Sequence, residues 1–225
     1  MAWLDTQEQS RWRRYQYDGP RRQFALCRAA LRAVLCRQLG CTNEQLAFGL
    51  SPYGKPFATV YGKPAPVSFN VSHSGKHGLV AFAPQGRLGV DIEERVARRN
   101  LDVLSRAVFG QAEQAELGMT HGSQKIHLFF KIWTIKEALI KAHGMGFLLD
   151  ASRFEIPLAM RHGTSGSTFQ LPQMPAIRWQ VENLGTEHFA AAIAHELSRD
   201  PDPAPVCNAS ASNTFIRAET PSIAR

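Results

Sequence analysis

The stretch "RLGVDIEERV", residues 87–96, decides how this chain is read. Leu88, Val90 and Ile92 share one parity and Gly89, Asp91 and Glu93 the other, and side chains two apart on a strand point the same way. A β-strand here buries one apolar face and sets two carboxylates together on the other. An Asp-x-Glu pair on a strand suits Mg²⁺, which takes a few carboxylates and completes its shell with water and phosphate oxygens. The same alternation also describes a solvated polar face on a half-buried strand.

Downstream, "ERVARRNLDVLSRAVFGQAEQAEL" reads as helical, and a long apolar helix follows over 125–143, "KIHLFFKIWTIKEALIKAH", with Gly144 as its C-cap. Trp133, Glu137 and Lys141 recur on it at i, i+4 and i+8. The helix is apolar over most of its circumference, so this Glu–Lys pair is enclosed, and an enclosed charge needs a partner or a task. "RFEI", "IRWQVENL" and "HFAAAIAHE" read as three strands. Upstream, an amphipathic helix over 21–39 precedes "QLAFGL" and a hairpin of "SFNVSHSG" and "HGLVAFAP". A helix followed by three strands thus occurs twice, which points to a duplicated unit.

The chain has 225 residues, 44% of them hydrophobic, enough for a real core. No apolar run approaches the roughly 20 residues of a membrane helix, and the arginines near the N-terminus lack an apolar signal core. The expectation is a cytoplasmic protein without membrane contact. Cys27, Cys36, Cys41 and Cys207 have no metal-binding spacing and read as reduced thiols. Net charge is +7, and residues 1–76 carry all of it: 11 Lys/Arg against 4 Asp/Glu, with 15 of each in the remainder. A basic first third facing a neutral half with paired carboxylates suits a polyphosphate or nucleotide ligand with a metal counter-charge.

His73 shares parity with Phe69 and Val71, which predicts a buried, hydrogen-bonded imidazole; with Ser72, Ser74 and Lys76 around it, a phosphate site is the other reading. Two copies of "YGKP", at 53–56 and 61–64, each place a lysine in a Gly–Pro turn.

In order, "GKP", "FNVSHS", "GVDIE" and "WTIKEALIKAHGMG" resemble the Sfp-type 4′-phosphopantetheinyl transferase family over about residues 20–195. The resemblance implies an α/β (α+β) monomer of two similar subdomains related by a pseudo-twofold axis. Each would be a long helix packed on a small, mainly antiparallel sheet, with coenzyme A in the cleft between them. Residues 1–84 would form the basic nucleotide side and 85–198 the half with the metal-binding acids and catalytic helix. Residues 199–225, rich in Pro, Ala and Ser, read as a disordered tail.

The implied activity is transfer of 4′-phosphopantetheine from coenzyme A to a serine of an apo acyl or peptidyl carrier protein, releasing adenosine 3′,5′-bisphosphate. Asp91, Glu93 and Glu137 match the acids that hold Mg²⁺, for which Mn²⁺ can substitute. Glu137, directly or through a metal-bound water, is the expected base, and Lys141 matches the lysine at the diphosphate. Ser72 and His73 match the segment at the 3′-phosphate, Gly54, Lys55 and Pro56 the nucleotide grip, and Arg28, with Arg22 as a second candidate, the helix cation at the 3′-phosphate. Lys55 is preferred over Lys63, which lies only ten residues before His73. An acidic carrier implies a basic docking surface, expected around Arg95, Arg98, Arg99 and Arg106. The rival reading of the same carboxylates is a Mg²⁺-dependent phosphodiesterase or nuclease. A nucleic-acid partner is not expected, since Trp3, Trp12, Tyr15 and Tyr17 follow no recognisable binding motif. The acceptor could belong to fatty-acid, polyketide or nonribosomal-peptide assembly, siderophores included.

Overall fold

The structure, a computed structural model, describes residues 3–97, 100–197 and 215–219. It opens with a helix the sequence reading missed, α1 (Thr6–Arg13). Asp5 caps it: its carboxylate accepts from the Glu8 amide at 2.8 Å, while Glu8 accepts from the Asp5 amide at 3.0 Å. Glu8 also receives Arg32 Nε at 2.7 Å and Arg28 Nε at 3.2 Å, so the cap docks α1 onto α2 (Asp18–Leu39).

A meander of β1 (Leu46–Leu50), β2 (Pro56–Val60) and β3 (Lys63–Pro64) follows, then the hairpin of β4 (Ser68–Ser74) and β5 (His77–Ala83). Leu31 and Leu35 of α2 pack on Leu46, Phe69, Val80 and Phe82 to make the first core.

The second half begins with β6 (Leu88–Glu94), the expected carboxylate strand. It continues through α3 (Leu101–Val108), α4 (Gln111–Met119), the long α5 (Gly122–His143) and α6 (Leu158–His162). The strands β7 (Gly166–Leu171), β8 (Met174–Asn183) and β9 (Phe189–Glu196) form an antiparallel sheet with β6, in the order β6-β9-β8-β7. The expected α+β architecture, helix on antiparallel sheet in two subdomains, is the one observed. As expected, Gly144 ends α5 in the left-handed conformation, at φ +86°. "RFEI" is not a strand; β7 takes that place in the sheet. Within the tail expected to lack structure, β10 (Phe215–Glu219) pairs antiparallel with β5.

Both faces of β6 are covered. Leu88, Val90 and Ile92 join Leu79, Ala81, Phe189 and Ile193 in a core between the two halves. The opposite face meets α5, and Ala190, Ala192 and Ala194 of β9 pack with Ala138 and Leu139 in a third core. The approach of α5 to β6 depends on Gly89: a methyl group there would lie 2.2 Å from both the Ala138 carbonyl oxygen and the Ala142 amide nitrogen. These are helix backbone atoms and cannot swing aside. Gly89→Ala is therefore expected to destabilise the fold by on the order of 3 kcal/mol in urea unfolding; a loss below about 1 kcal/mol would show that α5 can retreat without cost.

Candidate functional site

Two sheet edges meet at β4 and β6, joined by side chains rather than by a backbone ladder. The Val90 amide donates to Asn70 Oδ1 at 3.0 Å, the Ile92 amide to Ser72 Oγ at 3.3 Å, and the Glu94 amide to Ser74 Oγ at 3.1 Å. Every second residue of "NVSHS" thus satisfies an amide on the free edge of β6, which explains why polar side chains sit buried in a strand.

The same hydroxyls hold the acids. Ser72 Oγ donates to Asp91 Oδ1 at 2.8 Å, and Ser74 Oγ donates to Glu93 Oε2 at 2.8 Å. Lys141 Nζ donates to Asp91 Oδ1 at 2.7 Å and to Ser72 Oγ at 3.1 Å. The Ser72 hydroxyl is therefore fully used, one proton given and two bonds accepted. Asp91 is 4% exposed, and its Oδ2 is buried without a hydrogen-bond partner. Burial pushes its carboxyl above the usual range against the pull of Lys141 and Ser72. Glu137, one turn before Lys141 on α5, is also raised, first by burial and then by the Asp91 charge, with Lys141 opposing.

These groups line a cleft of about 1050 Å³ between the halves. Its lining includes cations and aromatic rings: Arg11, Arg28, Phe24, Tyr53 and His73. Arg28 lies 4.9 Å from the Phe48 ring centre and Arg11 5.1 Å from that of Phe24. Trp133, Ile140, Val108, Leu149 and Ala151 also line the cleft, and Asp91, Glu93, Glu137 and Lys141 lie with them on its surface.

Most of the expected site residues meet here, with differences. His73 is exposed to the cleft rather than buried; desolvation, with Lys141 and Arg11 adding, still holds its imidazole below the usual value. Gly54, Lys55 and Pro56 form a rim, whereas Lys63 is exposed on β3. Lys55 Nζ is tied to the Leu88 carbonyl at 2.9 Å and the Ala142 carbonyl at 3.2 Å, capping the C-terminus of α5. Burial, with Arg87 nearby, lowers its pKa to about 8. Arg22 is exposed and does not line the cleft. Arg11 was missed, since only the docking of α1 brings it in. Among the described residues no three His, Cys, Asp or Glu side chains close to a metal-holding separation. Asp91 and Glu93 are each held by a serine hydroxyl, and the partnerless Asp91 Oδ2 beside a Glu137 raised first by burial and then by the Asp91 charge fits a cation-binding role.

The 4′-phosphopantetheinyl transferase superfamily matches residues 87–194, and the description "4′-phosphopantetheinyl transferase, N-terminal" matches residues 1–85. A Synechocystis sp. protein whose name proposes a 4′-phosphopantetheinyl transferase is 37% identical over 145 residues, 64% of this chain and 58% of its own length. The 4′-phosphopantetheinyl transferase AcpT of Escherichia coli K12 is 36% identical over 56% of this chain and 60% of its own. HetI of a Nostoc species, named for the same transferase, is 31% identical over 86% of this chain and 78% of its own. The chain thus spans about three fifths of the length of the first two relatives. Among the described residues no helix is long and apolar enough to cross a membrane.

The raised Glu137 has a signature in stability. From the ordinary value of 4.5 up to its raised value, the folded protein holds more protons than the unfolded chain, so stability falls as pH rises through that window. Glu137→Gln removes this penalty: in urea unfolding it should match wild type below pH 4.5 and exceed it at neutral pH. A variant no more stable than wild type at neutral pH would contradict the assignment.

Proposed function

Because the chain belongs to the 4′-phosphopantetheinyl transferase superfamily, we propose that it moves the 4′-phosphopantetheine arm of coenzyme A onto a serine of an apo acyl or peptidyl carrier protein and releases adenosine 3′,5′-bisphosphate. The observation that carries this reading is the polarity of the cleft. Arg11, Arg28 and His73 share one cleft of about 1050 Å³ with Asp91, Glu93, Glu137 and Lys141. Arg11, Arg28 and His73 take the phosphates of the nucleotide end, and Gly54–Pro56 form the rim beside them.

Asp91, through Oδ2, with Glu93 and Glu137 would hold Mg²⁺ or Mn²⁺, which when bound supplies charge neutralisation at the diphosphate. Glu137, its proton affinity raised, takes the proton of the attacking serine. The serine oxygen bonds to the β-phosphorus as the bond to the leaving nucleotide phosphate breaks, and Lys141 sets its positive charge against that phosphate. Ser72 fixes Lys141 and Asp91 relative to each other. The carrier docks on a basic surface that includes Arg95 and Arg106; Arg98 and Arg99, expected to contribute, lie outside the described residues. The enzyme acts as a cytoplasmic monomer, on carriers of fatty-acid, polyketide or nonribosomal-peptide assembly.

Intact-mass spectrometry of apo acyl and apo peptidyl carrier proteins, incubated with the protein, coenzyme A and Mg²⁺, tests this directly. One phosphopantetheine group added to either carrier, and none in EDTA, is the expected result. Hydrolysis of coenzyme A or of nucleic acid with both carriers unmodified would instead support the phosphodiesterase reading. Ser72→Ala should lower kcat/KM by about 10–100-fold with coenzyme A affinity near wild type, as loss of a positioning hydroxyl does. Weakened coenzyme A binding with kcat retained would show that the hydroxyl serves the ligand instead.

A further inference from the structure

The lysine beside the proposed base has its own task. Lys136 and Glu113 are both completely buried, and Lys136 Nζ lies 2.7 Å from Glu113 Oε2. The ammonium also donates to the carbonyls of Ala151 at 2.8 Å, Phe154 at 2.7 Å and Val108 at 3.1 Å. Glu113 in turn accepts from the amides of Gly110 at 2.8 Å and Ile156 at 2.7 Å. One ion pair therefore ties α5 to the end of α3, the start of α4 and the irregular segment 151–156. Two of those segments line the cleft: Ala107 and Val108 from one, Ala151 from the other. The same cleft is lined by Arg28 and His73, the residues proposed for the nucleotide phosphates.

We infer that Lys136, with Glu113, is a positioning residue that sets the cleft wall against which the pantetheine arm and the entering serine are aligned. The inference rests on the transferase reading above. Lys136 touches neither substrate nor reacting atom; it holds the carbonyl of the last residue of α3 and those of Ala151 and Phe154 in the irregular segment. A buried charge with well-matched acceptors is suited to such specification, whereas removal of one partner alone strands the other.

The test is the pair of substitutions Lys136→Met and Glu113→Gln in one chain, so that neither charge is orphaned. Three quantities are measured in the full chain: kcat/KM for an apo carrier, the Kd for adenosine 3′,5′-bisphosphate, and the melting temperature. The expected result is a fall in kcat/KM of about 10–100-fold, as misplacement near the reacting groups produces, with the nucleotide Kd unchanged. A folded variant with wild-type kcat/KM would overturn the inference. So would a parallel loss of nucleotide affinity, which would mean a general loosening of the fold. If the double variant does not fold, Glu113→Asp alone decides. It keeps both charges but shortens the carboxylate arm, and should lower kcat/KM in the same direction by a smaller factor, again with the nucleotide Kd unchanged; wild-type kcat/KM would overturn the proposal. A wild-type protein that binds the nucleotide but modifies no carrier would sink the transferase reading itself, a different result from any of these.

Discussion

The structure depends on how the outer edge of β6 is satisfied. An edge strand presents unpaired amides, and burying them between two halves of a protein is costly unless each finds an acceptor. Asn70, Ser72 and Ser74 provide those acceptors from the facing edge. Since a side chain bridges a wider gap than a backbone ladder does, the two sheets meet without merging. The hydroxyls that close the seam have a proton left to give, and they give it to Asp91 and Glu93. Structural closure and placement of the acids are thus one set of hydrogen bonds.

This arrangement puts charge where the fold would otherwise exclude it. Gly89 and the alanines of β9 let α5 come close, and that closeness brings Glu137 and Lys141 to Asp91. The raised proton affinity of Glu137 follows from the same burial. Packing and reactivity here have a common cause, and the core between the halves, built from Leu88, Val90, Ile92 and their partners, lies on the other face of the strand that carries Asp91 and Glu93.

Much of this was legible in the residue pattern. The parity of "LGVDIE" separates apolar from acidic positions, and the 3.6-residue period of α5 aligns Trp133, Glu137 and Lys141, so local geometry alone places them. Strand parity groups His73 with Phe69 and Val71, yet parity does not say which positions of a strand open onto a cleft. Ser72 resembled a ligand contact, yet its hydroxyl is consumed within the protein. "RFEI" has a strand's composition, but Lys136 takes the Phe154 carbonyl and Glu113 the Ile156 amide, and both lie far off in sequence. Arg11 reaches the cleft through the buried Glu8–Arg32 pair, another long-range contact without a local signal.

The central claim is that side chains of β4 close the edge of β6, and amide hydrogen exchange at Val90, Ile92 and Glu94 tests it most directly. With Asn70, Ser72 and Ser74 as their acceptors, these amides should exchange as slowly as those of β9 at the centre of the sheet, opening only with global unfolding. Exchange at the rate of a solvent-exposed edge, with β9 still protected, would mean that the seam is open and that the acids are held by some other means.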